Sequence, residues 1–223
     1  MNEVLDTAKY IGVTIAEIFL AVYFCRQYID TVTKKIPIGK TVVEQNDTNL
    51  DIYKHMNYYK ELLKADRILL FEFHNGQHYS NYRSALKMSA SYEVYRAGLD
   101  SVMVQCTNIP IAIMPKLIRD ITTKEYTYCP DIEMIKGDMG NSYNFKKSIG
   151  TQAYFDLPLH DKDGIIIGFV AVEWANPIPS HVHLEEDYKD ELFHLAWKLE
   201  EMIMELTDID MAIKTAYYGI RFI

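Results

Sequence analysis

The stretch GTQAYFDLPLHDKDGIIIGFVAVEWANP, residues 150–177, decides how the chain is read. Thr151–Leu159 and Ile165–Trp174 are strand-like, and Asp161-Lys162-Asp163-Gly164 between them is a tight turn. Asp-Gly is a strong hairpin signal, because primed turns need positive φ and glycine supplies it without a Cβ clash. The second strand is almost continuously apolar and carries an internal glycine, which suits a strand buried on both faces near the middle of a sheet. Asn176-Pro177 ends it.

Upstream, Thr48 or Asn49 can cap a helix running to about Lys64. Arg67–His74 follows as a strand, with Leu69, Phe71 and Phe73 on one face and Ile68, Leu70, Glu72 and His74 on the other. Asn75-Gly76 is expected to end it in a turn. Leu86–Tyr95 reads as a second strand and Val102–Thr107 as a short third. Residues 111–122 read as helical, limited or restarted by Pro115, and Tyr126–Cys129 as a short strand closed by Pro130. Residues 137–148 read as loop with one helical turn. Downstream of the hairpin, a long helix is expected from His183 or Leu184 to about Leu206, then a shorter one over Asp208–Tyr218. Strands clustered between bracketing helices make an α+β pattern.

The chain of 223 residues is 49% hydrophobic and 24% charged, enough for one sizeable core. Its net charge of −8 argues against nucleic acid as a partner, since such binding rests on lysine and arginine neutralising phosphates. Cys25, Cys106 and Cys129 form no C-x-x-C and no even framework, so reduced thiols are the simplest reading.

The longest apolar run is YIGVTIAEIFLAVYFC, residues 10–25, flanked by Lys9 and Arg26. With no polar stripe, such a helix is buried in protein or in lipid. Extended through Ile29 it approaches the roughly 20 residues of a membrane span. No basic region or small-residue cleavage site marks a signal peptide. Residues 1–29 are therefore read as a membrane helix, with burial in an assembly as the alternative. Arg26, Lys34, Lys35 and Lys40 follow the run whereas Glu3 and Asp6 precede it, which places the C-terminal bulk in the cytoplasm if the helix spans. A soluble cytoplasmic protein is the alternative. Glu17 inside the run is a candidate self-association contact. Residues 30–47, with Pro37, Gly39 and the polar 44–47 cluster, read as linker, and residues 207–223 as a helical tail.

The ending Gly150, YFDLPL (154–159), DKDG (161–164), GFVAV (168–172), Asn176-Pro177 and a closing helix resembles a GAF domain, over residues 48–206. The chain is also similar to small phage-encoded or prokaryotic proteins in which a membrane helix precedes a GAF-like domain with an F-H-N-G segment, here Phe73-His74-Asn75-Gly76. The resemblance implies a central antiparallel sheet of five or six strands. First and last helices lie on one face, and loops and short helices roof a pocket on the other. It also implies dimers through the bracketing helices, here 48–64 and 184–206, and ligands ranging from cyclic nucleotides and tetrapyrroles to small metabolites or none.

No catalytic constellation is present. The methionine sulfoxide reductase type of GAF domain carries a cysteine where this chain has 147–151, Lys-Ser-Ile-Gly-Thr, so Cys106 and Cys129 give that activity little support. The cyclic-nucleotide motif N-K-F-D-E is absent, and nothing singles out the cysteine–histidine pair of a bilin site. His181 and His183 beside Glu185, Glu186 and Asp187 are read as helix-capping and solvated loop rather than metal ligands. With the apolar side of each strand assigned to the helices, Glu72, His74, Lys87, Tyr154, Asp156 and Glu173 become the pocket-side, ligand-binding candidates. Carboxylates there need a cation, a histidine or a polar ligand. The expected function is a non-enzymatic sensory or sequestering module for a small polar ligand. The alternative is an interaction protein acting through helix-mediated oligomers.

Overall fold

The computed structural model describes residues 14, 16–27, 38–78, 82, 84–138, 140–179 and 184–218. The chain divides into two compact units, Thr48–Met204 and Met1–Asp47 with Glu205–Ile223. In the latter, residues 16–27 form a helical stretch (α1) whose Ile18, Phe19, Leu20, Val22, Tyr23 and Phe24 are exposed. Much of the run read as a membrane helix, residues 1–13, 15 and 28–37, lies outside the described residues. Among the described residues no helix is long and apolar enough to cross a membrane.

α2 runs from Ile38 to Leu62. The segment expected as linker is therefore helical from Ile38 onward. Pro37 lies outside the described residues, and the polar 44–47 run sits on the solvated surface of the helix.

The unit Thr48–Met204 is built on a six-stranded antiparallel sheet of order β3-β2-β1-β6-β5-β4. The strands are β1 (Arg67–His78), β2 (Ser84–Tyr95), β3 (Ile109–Pro110), β4 (Thr127–Cys129), β5 (Ala153–His160) and β6 (Ile166–Trp174). α3 (Pro115–Thr123), α4 (Ser142–Ser148) and 3-10 turns at Ile111–Ile113 and Ile132–Ile135 fall between β3 and β5. α5 (Leu184–Asp187) and α6 (Lys189–Tyr218) follow β6. With no glycine or proline near residue 207, α6 continues unbroken where two helices were expected.

The β5–β6 hairpin forms as its sequence dictates. The Asp161 carboxylate accepts the Asp163 and Ile165 amides, each at 2.9 Å, and fixes the turn. Asn75-Gly76, by contrast, does not end β1, which pairs on to His78. A Cβ on Gly76 would lie 2.1 Å from the Ala85 carbonyl oxygen, so this glycine serves a close backbone approach rather than a turn. Val102–Thr107 is turn, tied back by Cys106 N–H to the Val102 and Met103 carbonyls, and the third strand is Ile109–Pro110 instead.

Both faces of the sheet are covered. On one, Ile68, Leu70, Phe155, Leu157, Val170 and Val172 are fully buried, as are Ile52 and Met56 of α2 and Leu195 and Leu199 of α6. Tyr92 Oη donates to Asn49 Oδ1 of α2 at 2.5 Å, and Tyr126 bridges Phe155 of β5 to Phe193 of α6. On the other, Leu69, Phe71, Met88, Ala90, Phe169 and Ala171 pack under Met114, Leu117 and Ile121. The Phe71 and Phe169 rings stack at 4.6 Å. α3, α4 and the loops between β3 and β5 form this roof.

Candidate functional site

At one end of the roof side lies a cluster of buried ions. Arg67, Leu69 and Phe71 alternate onto that face of β1, as do Glu173, Ala171 and Phe169 on β6 and Tyr154 and Asp156 on β5. Above them, Ser142, Phe145, Lys146 and Ile149 form the inward stripe of α4, spaced i, i+3, i+4, i+7. Lys146 thus occupies a core position and is 2% exposed; Asp156 is 0% exposed and Glu173 1%.

Lys146 Nζ donates to Asp156 Oδ1 at 3.1 Å and to Glu173 Oε1 at 3.0 Å. It also lies 4.3 Å from the centre of the Tyr154 ring. Glu173 Oε2 accepts from Thr151 Oγ1 at 2.8 Å and from Arg67 Nη1 at 3.4 Å. Arg67 further donates to the Ile149 carbonyl at 2.9 Å and places Nε 3.2 Å from Glu93. Glu93 also accepts the Val102 amide at 2.9 Å and the Ser101 hydroxyl. Two cations therefore face three carboxylates. Asp156 Oδ2 is buried without a hydrogen-bond partner, and so is Thr127 Oγ1 on the residue paired with Asp156 across β4 and β5.

Burial disfavours the Lys146 ammonium, but Asp156 and Glu173 outweigh it and hold its pKa above the ordinary lysine value. Burial pushes Asp156 up to about 6, against the pull of Lys146 and with added repulsion from Glu173. Burial likewise raises the Tyr154 phenol.

Comparison with known proteins identifies the architecture. A GAF domain, GAF3, from Synechocystis in its photoproduct state superposes with a TM-score of 0.54, covering 73% of this chain and 97% of that one at 12% identity. The PixJ GAF domain of Thermosynechococcus elongatus gives 0.54 over 80% of this chain and 97% of its own, at 15% identity. The fold is that of a GAF domain. A far-red absorbing dark state solved with bound biliverdin IXa has a similar fold, with a TM-score of 0.50 over 74% of this chain and 99% of its own at 10% identity. No family model and no curated protein matches the sequence.

Within this GAF fold the six expected site residues separate. Tyr154, Asp156 and Glu173 come together around Lys146. Glu72, His74 and Lys87 lie on the opposite face of the sheet: Glu72 accepts from Ser91 Oγ, His74 Nε2 is 2.8 Å from Ser89 Oγ, and Lys87 stands across from His74. β1 is apolar on both faces, so the rule that its apolar side meets the helices chose the wrong face. A bulge in the β1–β2 pairing after Leu70 adds a register shift that alternation alone does not reveal. Arg67 and Lys146 were missed. The signal for Lys146 was the helical spacing around it, hidden by reading 137–148 as loop.

Cys106 and Cys129 are buried, and burial pushes the Cys106 thiol up to about 12 and raises Cys129, which disfavours the thiolate needed for nucleophilic or redox work. His181 and His183 lie outside the described residues, and among the described ones no group of three metal-ligating side chains forms. A separate open groove of about 560 Å³ lies where β5 runs on past β4, lined by Ile121, Lys124, Pro158, Phe193 and Trp197. Pro158 suits that edge, which no strand pairs beyond Asp156, because it has no N–H to leave without a partner. The next amide, His160, donates to Glu200 at 2.7 Å.

Proposed function

We propose that this chain is a non-enzymatic sensory module of GAF architecture, which recognises a small polar ligand on the roof side of its sheet at the Lys146–Asp156–Glu173 cluster. One observation carries the reading: a fully buried group of ions with an excess carboxylate and an unpartnered Asp156 Oδ2. Buried ion networks are poor stabilisers compared with apolar packing of the same volume, so stability alone does not account for them. An unsatisfied carboxylate oxygen is a ready acceptor for a ligand donor. The biliverdin held by one structural neighbour supports ligand binding on this architecture, although the buried ions here favour a different chemistry.

The output of the module is proposed to run through α2 and α6. Both leave the compact unit, and Leu50, Tyr53 and Tyr58 of α2 and Trp197 of α6 are exposed, a surface suited to pairing with a second copy. The exposed apolar side chains of α1 support attachment to a membrane, and the basic residues Arg26, Lys34, Lys35 and Lys40 after the run support a cytoplasmic GAF unit if the run spans. Sedimentation of the full-length protein without detergent tests that part, because recovery in the soluble fraction contradicts it.

Native mass spectrometry of the gently purified full chain tests the ligand reading. An added mass that is released on denaturation, and lost in Asp156→Ala, is the expected result. A bare chain whose pairing is abolished by Trp197→Ala favours an interaction protein instead.

A further inference from the structure

Resting on the sensory reading, the geometry points to a ligand class: we propose that the roof cluster recognises a primary alkyl ammonium group, and that Lys146 occupies the site as the chain's own stand-in for that ligand.

The surroundings of Lys146 Nζ have the parts such recognition needs. Carboxylates from two different strands accept from it at 3.0 and 3.1 Å. The face of Tyr154 lies 4.3 Å away and supplies the attraction of an aromatic ring for a cation. The whole is sealed from water, with Asp156 and Glu173 at 0% and 1% exposure, so each charge-assisted contact acts in a low-dielectric setting. A compact ammonium with three rotatable donors suits this arrangement, whereas the planar guanidinium fork of arginine is already used beside it, at Arg67, to bind Glu93, Glu173 and the Ile149 carbonyl.

Lys146 does not complete the site. Its amine is tethered to α4 and reaches only one oxygen of Asp156, leaving Oδ2 and the neighbouring Thr127 Oγ1 without partners. The cluster also keeps one carboxylate more than its cations. A free alkyl ammonium, unconstrained by the helix, can engage both Asp156 oxygens. One bearing a second amine adds the missing positive charge. Lys146 then swings out with α4, and the change of roof conformation is the signal. Because the tethered lysine competes at high effective concentration, the site responds only to abundant amines.

The test is calorimetric titration and thermal shift of the full-length protein with n-propylammonium, 1,4-diaminobutane, 1-propanol and propionate. n-Propylammonium matches the lysine side chain beyond Cβ. The expected result is stabilisation of the wild type by the two amines and not by propanol or propionate, loss of that response in Asp156→Asn, and n-propylammonium binding about tenfold tighter in Lys146→Ala, where the competitor is gone. Equal effects of propylammonium and propanol on Lys146→Ala would mean an unselective hole and would overturn the proposal. So would a wild type unresponsive to both amines, even if Lys146→Ala is rescued, because Lys146 would then be a permanent filler. Should Lys146→Ala fail to fold, the wild-type titration with its Asp156→Asn control decides alone. A non-amine ligand found by native mass spectrometry, with no amine response, overturns this inference and leaves the sensory reading standing; no ligand and no amine response removes both.

Discussion

The two faces of the sheet are built on different principles. The helix side is apolar where α2 and α6 cover it, with Ile68, Leu70, Phe155, Leu157, Val170 and Val172 buried, and its polar residues Glu72, His74 and Lys87 are only half-buried. The roof side begins the same way at the Phe71–Phe169 stack and then, toward Arg67 and Glu173, changes to buried charge. Apolar burial stabilises whatever its exact partners, at roughly 25 cal/mol per Å². Buried ions stabilise only when every partner is in place, and at best about break even with apolar replacements. The helix side therefore holds the fold, and the charged end of the roof is the part proposed for recognition.

The sharpest way to separate the two is to break one partner on each side. Lys146→Met strands Asp156 and Glu173 without their cation and should cost about 3–5 kcal/mol in urea denaturation. On the helix side, Leu70→Ala should cost about 2–5 kcal/mol through lost burial and a cavity, with no dependence on pH. A loss confined to Leu70→Ala would mean that the ions contribute nothing even as a set.

Acidity distinguishes the faces next. Asp156 has its folded pKa raised to about 6, above its ordinary carboxyl value of 3.8. The folded state thus holds this proton more tightly than the unfolded chain. The resulting stability is fully present below about pH 4 and is lost as pH rises through 6, an effect of up to about 3 kcal/mol. Denaturation midpoints measured across that window should fall as pH rises, and Asp156→Asn should flatten the slope. An unchanged slope in the variant would assign the titration elsewhere.

The smallest effect is expected one residue from the largest. Lys147 points outward to the half-buried Tyr143 through its Oη at 2.7 Å and to the exposed Glu133 at 3.4 Å. Lys147→Ala should leave the denaturation midpoint unchanged, because solvated pairs contribute little. A clear shift would show that α4 is held from its outer face as well.

The contrast between faces also explains what could be read from sequence. In β5 the polar pair Tyr154 and Asp156 alternates with Phe155 and Leu157, so period two assigns the faces unambiguously, and Glu173 follows from the hairpin register. In β1 both Leu69/Phe71 and Ile68/Leu70 are apolar, so alternation is silent about which set meets the helices, and Glu72 and His74 were carried to the wrong side along with their neighbour Lys87. The bulge after Leu70 leaves no mark in residue types. Lys146 was hidden for another reason: lysine is read as surface, and only its spacing with Ser142, Phe145 and Ile149 reveals an inward stripe. The helical stretch from Ile38 is obscured in the sequence by Pro37 and Gly39, which read as linker punctuation.

The most direct test of the central claim is the stability of Lys146→Met combined with Asp156→Leu, measured by urea denaturation alongside the wild type and Lys146→Met alone. If the ions are kept for recognition, the apolar pair recovers the part of the lost stability that comes from stranding Asp156, Glu173 keeping Arg67 and Thr151 as partners, while its response to amines disappears. A double variant that stays as unstable as Lys146→Met would show that the ions hold the roof together, and would contradict the account.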